Sequence, residues 1–254
     1  MNMRVSQIVR YPVKGLTGEA LDETHLQVGR GLALDRRYAL AHGSRAMGGP
    51  TIGWMEKNAF LMLARHARLA QLQTSFEQST GTLTIRRGGK QVARGKITDR
   101  IGRTLIEEFF AAFMGAEAHG KPKLVEVEGT GAFSDVSTPM ISLINSSSVR
   151  DLERVAGRAI DVRRFRGNIV FEGGDPWGEF GWIGRTLSIG GATLKIVDRT
   201  SRCPATSVNP DSAEIDLNVP QVLQRGFGHA DCGVYAEVVG NGTVKPGDSL
   251  KLLS

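Results

Sequence analysis

Apolar and polar residues alternate over short stretches along most of this chain. Only two stretches fall into helical spacing. Arg4-Val5-Ser6-Gln7-Ile8-Val9-Arg10-Tyr11-Pro12 reads as a strand closed by a proline, which cannot donate to a ladder. Residues 19–28 read as a second strand ended by Gly29, and residues 37–41 as a third. Residues 55–63 hold a short helical turn, and residues 69–76 return to alternation. Residues 81–87 and 91–96 predict a hairpin around Gly88-Gly89, a pair that accepts the positive φ angles of a tight turn.

Ile101, Leu105, Ile106, Phe109, Phe110 and Phe113 recur at helical spacing, and Gly115 can close that helix. Val149, Leu152 and Val155 share one face of a second helix over residues 146–156. Ser146, Ser147 and Ser148 stand where N-terminal caps belong, and Gly157 follows the end. From Phe165 onward the pattern is β: residues 167–171, 186–190, 192–197, 233–239, and a turn and strand in 242–253. Many short strands with close-spaced turns predict a mainly β fold with a few helices (α+β), a barrel or a sandwich. A seam between Gly115 and Thr138 predicts two units, residues 1–120 and 121–254.

With 254 residues, 41% hydrophobic and 23% charged, the composition is that of an ordinary globular protein. The formal net charge of +6 favours anionic ligands or acidic partners. The basic residues read as scattered. Aromatics are few, and no zinc-finger, RRM or homeodomain spacing occurs, so nucleic acid is not the expected partner. Two cysteines make no disulfide framework and predict a reducing, cytoplasmic setting. The first 16 residues lack the apolar core of a signal peptide, and no apolar run is long enough for a membrane span. Walker A, G-x-G-x-x-G, H-E-x-x-H and C-x-x-C patterns are absent, and the five histidines show no metal spacing. Asp211, Glu214 and Asp216 read as a solvated acidic cluster.

The chemistry concentrates in Asp198-Arg199-Thr200-Ser201-Arg202-Cys203-Pro204-Ala205-Thr206, read as a loop leaving the strand that ends at Val197. It puts one of the two cysteines among hydroxyls and two arginines. Positive charge near a thiol favours its ionised form, which serves as nucleophile, sulfur carrier or soft-metal ligand. A free cysteine is as often a small core hydrophobe. Residue types alone leave both readings open. Cys232, at the start of a strand, reads as buried packing.

Five stretches then occur in order: Tyr11-Pro12-Val13-Lys14; Gly31-Leu32-Ala33-Leu34-Asp35-Arg36-Arg37-Tyr38; Phe165-Arg166-Gly167-Asn168-Ile169-Val170; Ser201-Arg202-Cys203; and Gly242-Thr243-Val244-Lys245-Pro246-Gly247-Asp248. Together they resemble the MOSC superfamily with its MOSC N-terminal β-barrel domain. That group contains the mitochondrial amidoxime-reducing component and the C-terminal domain of molybdenum cofactor sulfurases. The resemblance implies a MOSC β-barrel packed against an N-terminal β-barrel-like domain. It also implies a bound molybdenum cofactor (molybdopterin), with Cys203 as metal ligand. Lys14, Arg36, Arg166 and Asn168 match its phosphate- and pterin-binding positions, with Thr200, Ser201 and Arg202 beside the sulfur. Ser147, with its neighbouring serines, falls where the family places polar contacts near the metal.

The implied activity is reduction of N-hydroxylated or N-oxide compounds, with electrons from a separate, acidic donor protein. The alternative is a sulfur carrier or cofactor-binding module without turnover. The pyridoxal-phosphate chemistry of the sulfurases belongs to an aminotransferase-like domain that this sequence lacks. Two departures from the family pattern stand out. Gly15 replaces a common serine, removing one possible cofactor hydrogen bond, and Gly167 replaces a common proline, which predicts a looser turn.

Overall fold

The computed structural model describes residues 3–45 and 47–253. Seven strands close on themselves as a barrel. β1 (Met3–Arg10) pairs with β11 (Ile169–Glu172) on one side and β16 (Ser249–Leu252) on the other. From β11 the ring continues through β10 (Ile141–Asn145), β14 (Asp231–Gly240), β13 (Ala192–Ser201) and β12 (Thr186–Ile189), which returns to β16. Val5, Ile8, Phe171, Leu194 and Val234 are buried in one cluster inside it. Closure leaves no unpaired sheet edge in this ring.

β10 and β11 are the parallel pair of the barrel. A parallel pair needs a long crossover. Here it is α2 (Ser146–Ala156) followed by a 3-10 turn at Val162–Phe165. β2 (Glu19–Ala20) extends the last residues of β1, and β3 (Thr24–Leu26) pairs with β15 (Gly242–Val244). The first strand in the sequence is therefore part of a barrel otherwise made by the second half of the chain.

The remaining N-terminal strands form two three-stranded sheets. One has the order β4 (Tyr38–Ala41), β9 (Lys123–Val127), β5 (Thr51–Ile52). The other is the meander β6 (Leu72–Glu77), β7 (Thr82–Arg87), β8 (Lys90–Lys96). α1 (Arg100–Met114) covers the meander, burying Ile106, Phe110 and Phe113 with Leu72, Leu83 and Ile85. Asp99 caps it, its Oδ1 accepting the Gly102 N–H at 2.8 Å. A cap of this kind contributes about 1 kcal/mol.

Several expectations need correction. Ile101 and Leu105, counted in the helical spacing of α1, face solvent. The strand expected from residue 69 starts at Leu72, because Ala67–Gln71 is a 3-10 turn. The single strand expected over 19–28 is two short ones. The cap of α2 is Asn145, whose Oδ1 accepts from the Ser147 N–H at 3.0 Å, and not one of the serines. β13 runs on through Ser201, since its pairing continues to Arg199↔Val234 and Ser201↔Asp231 across bulges. Asp216 is no idle surface acid: it accepts from buried Arg164 at 2.6 Å and from Arg158 at 3.0 Å. No helix of the described residues is long and apolar enough to cross a membrane.

Three histidines from distant segments meet beside β4. His42 lies with its ring centroid 5.6 Å from His66 and 5.1 Å from His119. His42 and His66 are buried, and His42 Nδ1 has no hydrogen-bond partner. Burial lowers the pKa of both, and the neighbouring imidazoles with Arg45 and Arg65 add to the effect. A backbone carbonyl and, for His66, Glu117 oppose it. With folded-state pKa values depressed, the unfolded chain binds more protons in acid. The stability is present above the ordinary histidine pKa of about 6.5 and is lost as pH falls through the depressed values. The midpoint of thermal unfolding should therefore drop between neutral pH and pH ~5, and His42→Leu should flatten that drop. Calorimetry at the two pH values checks it; an unchanged slope in the variant removes His42 from the account.

Candidate functional site

A cleft of about 660 Å³ opens between the barrel and the N-terminal sheets. Eight lysine and arginine side chains line it against three carboxylates. That excess gives the cleft a field suited to an anion.

Its foundation is Tyr11, just past β1. The Tyr11 N–H donates to Asp35 Oδ1 at 2.8 Å, and its carbonyl accepts the Arg36 N–H at 2.6 Å. Two guanidiniums lie over the ring, with Arg36 Cζ 4.9 Å and Arg166 Cζ 4.1 Å from its centroid. Both arginines have left-handed backbones, with φ of 49° and 52°. For a residue other than glycine this conformation costs roughly 1–2 kcal/mol. The surrounding contacts hold both there.

The two arginines differ in their charge balance. Arg36 is ion-paired with Asp35, and its Nη2 donates to the Arg166 carbonyl at 2.8 Å. Burial works against its charge, but Asp35, with Tyr11 and Tyr235, acts the other way and the pKa is raised. Arg166 has no carboxylate partner among the described residues: Nη1 donates to the Leu16 carbonyl at 2.8 Å, and buried Nη2 finds no acceptor among them. Burial, with Arg36 beside it, lowers its pKa to about 10. A buried cation without a counter-charge is costly.

Lys14 lies deep in the cleft, its Nζ donating to the Phe133 carbonyl at 2.8 Å and to Asp135 Oδ1 at 3.1 Å. Burial lowers its pKa, and Asp135 partly restores it. Asn168 also lines the cleft, but its amide is engaged: Oδ1 accepts from the Ser142 N–H and hydroxyl, and Nδ2 donates to the Val9 carbonyl. Thr200 is buried, and its Oγ1 has no partner. Ser201 follows it on the cleft wall.

Arg202 spends its guanidinium on backbone carbonyls, Nε on Cys232 at 2.7 Å and Nη1 on Phe165 at 2.9 Å. It carries its charge into the cleft without a carboxylate partner among the described residues, and burial lowers its pKa. Cys203 lines the same cleft and is half-buried. Its carbonyl accepts the Thr206 hydroxyl at 2.9 Å, at the head of a 3-10 turn begun by Pro204. Cys203 thus stands on a wall shared with Ser201, Arg202 and Thr206, and it belongs to none of the buried apolar clusters of the described residues. Cys232 is buried in an apolar cluster, and burial raises its pKa to about 12.

Lys14, Arg36, Arg166, Asn168, Thr200, Ser201, Arg202 and Cys203 therefore share one cleft. Ser147 does not line it; its hydroxyl accepts from Arg150 at 2.8 Å. Arg199 is also elsewhere, over the Phe180 ring with Cζ at 4.4 Å. Of the serines, Ser148 is engaged with the fully buried Glu179, donating to it at 2.8 Å. Sequence reasoning missed Tyr11, Asp35, Asp135 and Tyr235 as parts of the site. Tyr11 and Asp35 lay inside the quoted motifs; for Asp135 and Tyr235 no local signal marked them.

Both glycine departures have structural reasons. Gly15 has φ +80°, and a Cβ there would lie 3.2 Å from the Leu61 carbonyl oxygen. A Cβ on Gly167 would lie 2.3 Å from Ile144 Cγ1. The turn is closely packed against β10, contrary to the looser turn expected.

Comparison with known proteins adds a second line of support. The MOSC N-terminal beta barrel domain matches residues 2–127, and the MOSC domain matches residues 128–251. Mitochondrial amidoxime-reducing component 1 of Homo sapiens is 31% identical over 134 residues, 48% of this chain and 39% of that protein. Molybdenum cofactor sulfurase of Solanum lycopersicum is 31% identical over 91 residues, 32% of this chain and 11% of that protein. The matched stretch is thus well under half of each relative. Among solved structures, the YUAD protein from Bacillus subtilis covers 99% of this chain and 96% of its own, at 10% identity and a TM-score of 0.44. YiiM from Geobacillus stearothermophilus covers 45% of this chain and 54% of its own, at 20% identity and a TM-score of 0.35. The two domain matches together span nearly the whole chain, and the chain belongs to the MOSC family, with a MOSC N-terminal barrel domain ahead of the MOSC domain.

Proposed function

We propose that this protein binds the molybdenum cofactor and reduces N-hydroxylated or N-oxide compounds, taking electrons from a separate donor protein. The observation that carries the reading is the convergence of a half-buried thiol and an uncompensated guanidinium on one cationic cleft. The names of the relatives, amidoxime-reducing component and molybdenum cofactor sulfurase, support the same chemistry.

The donor set suits such a group. Arg166 Nη2 and Thr200 Oγ1 are buried without partners. A phosphate gives the guanidinium the counter-charge it lacks, through paired hydrogen bonds. Arg36 and Lys14 would add their charge to the same anionic tail. Thr200, Ser201 and Arg202 would face the pterin, and Asn168 would shape the wall through its bonds to Ser142. Cys203 Sγ would be the metal ligand, a soft donor for a soft site.

When bound, the cofactor supplies the two-electron chemistry that removes oxygen from nitrogen. The chain's part is to hold, orient and charge-balance. Arg202 keeps a positive charge beside the sulfur because its guanidinium is fixed by Cys232 and Phe165. Tyr235 lines the same cleft, and burial raises its pKa, so the phenolic proton stays on the oxygen at neutral pH. The second reading, a sulfur carrier without turnover, uses the same accessible sulfur.

Protein made in a host competent for cofactor synthesis should copurify molybdenum and pterin, and should oxidise a reduced dye when given an N-hydroxylated substrate. Cys203→Ala should lower that turnover by about 100-fold or more. Sulfane sulfur on Cys203 with no metal would instead support the carrier. Separately, the unloaded chain should bind pyrophosphate, and Arg166→Ala should weaken it by roughly tenfold, the loss of one charge-assisted contact of about 1.5 kcal/mol. Arg166→Lys should restore part of it, and calorimetry reads both; equal affinity in all three chains would place the anion elsewhere.

A further inference from the structure

The positive charge of this chain is not scattered. Residues 81–100 hold six cations and one acid, Asp99, so five of the six net charges fall within twenty residues. Those cations are Arg86, Arg87, Lys90, Arg94, Lys96 and Arg100, and all are exposed. None forms an ion pair among the described residues.

The register of the β6–β8 meander sets three of them, Arg86, Arg94 and Lys96, on one face. Leu83 and Ile85 point inward to α1, so Thr82, Thr84 and Arg86 point outward. Across the sheet, Thr84 pairs with Ser75 and Arg94, and Thr82 pairs with Glu77 and Lys96. Arg86 lies between Gln73 and Gln91. Arg87 and Lys90 flank Gly88-Gly89 at the hairpin tip, where Arg87 lies over the Phe113 ring of α1 with Cζ at 5.4 Å, and Arg100 opens α1. The face therefore presents cations set among neutral hydroxyls and amides, with Glu77 the acid in these rows.

We propose that the outward face of this meander, with its Gly88-Gly89 tip, docks a protein partner presenting a carboxylate-rich surface. Complementary charge of this density steers encounter and fixes orientation. The outward rows carry no aromatic side chain on which bases could stack, which disfavours a single-stranded nucleic acid. Val92, 41% exposed on β8, offers the apolar contact that protein interfaces place among polar groups. At the far end from the tip, Gln78 follows Glu77 and lines the cationic cleft. A partner on this face is therefore beside the candidate site. Its role as electron donor rests on the function proposed above; the docking itself does not.

The test uses the full unloaded chain and fluorescent poly-L-glutamate as the probe for a carboxylate-rich face, read by anisotropy at low and high salt. Three chains are compared: native, Arg86→Glu/Arg94→Glu/Lys96→Glu, and a charge-matched control reversing exposed Arg4, Arg65 and Arg225. Reversal on the meander should weaken low-salt binding at least about tenfold, the sum of several surface pairs. The control should change it less than about threefold, and high salt should abolish the difference. Equal losses in both reversed chains overturn the proposal, because general attraction then accounts for binding. So does stronger dependence on the meander of binding to duplex DNA or phosphatidylserine vesicles than to poly-L-glutamate. Circular dichroism confirms that each variant is folded. Dye-driven turnover of the loaded meander variant should match the native chain, so a failure of docking and a failure of the proposed catalysis give different results.

Discussion

The arrangement depends on one crowded contact, the Tyr11 ring with the guanidiniums of Arg36 and Arg166 both over it. Two like charges beside one ring repel, and burial opposes both. The fold holds them by giving Arg36 a carboxylate and Arg166 only a carbonyl and a π face. The same tyrosine leaves β1 of the barrel and is bonded through its backbone to Asp35 and Arg36 of the N-terminal unit. Anchoring the two units to each other and concentrating positive potential between them are thus a single structural act. The cleft is cationic because the joint is.

The sulfur end of the cleft is built by different means. β13 carries Thr200 and Ser201 along a bulged ladder, and Pro204 then turns the chain so that Cys203 ends on the cleft wall. Arg202 stitches this turn to β14 through Cys232 and to the crossover through Phe165. Substituting it therefore removes a charge and the bonds to both of these carbonyls together. The two ends differ in their dependence on neighbours, since the Tyr11 end needs both units and the thiol end needs only the barrel.

Much of this was legible in the residues. The Gly88-Gly89 hairpin and both long helices announced themselves through turn chemistry and apolar spacing. β10 did not, because Ile141-Ser142-Leu143-Ile144-Asn145 is buried along its whole length and shows no alternation. α3 (Val219–Phe227) was passed over although its punctuation was present: Asn218 accepts from the Gln221 N–H, Pro220 stands in the first turn, and Gly228 closes it. Its nine residues were too few for periodicity to speak. At the site, motif order found the cations and the thiol, but could not tell that Arg199 turns away or that Ser147 serves its own helix. Facing is decided by bulges and by which residue caps, and both depend on partners distant in sequence. The clustering of charge was visible in the bare sequence and was masked by its even spacing at every second to fourth position.

The pairing of Met3 with Leu250 and Arg4 with Ser249 has a consequence for folding. β1 acquires one of its barrel neighbours only through contacts that span almost the whole of this sequence. Contacts of such wide separation carry a large loop-closure cost and form slowly. The end of β1 that leads to Tyr11 is instead held by β2 and β11, at shorter separations, so closing the ring and building the cleft are tasks of different range.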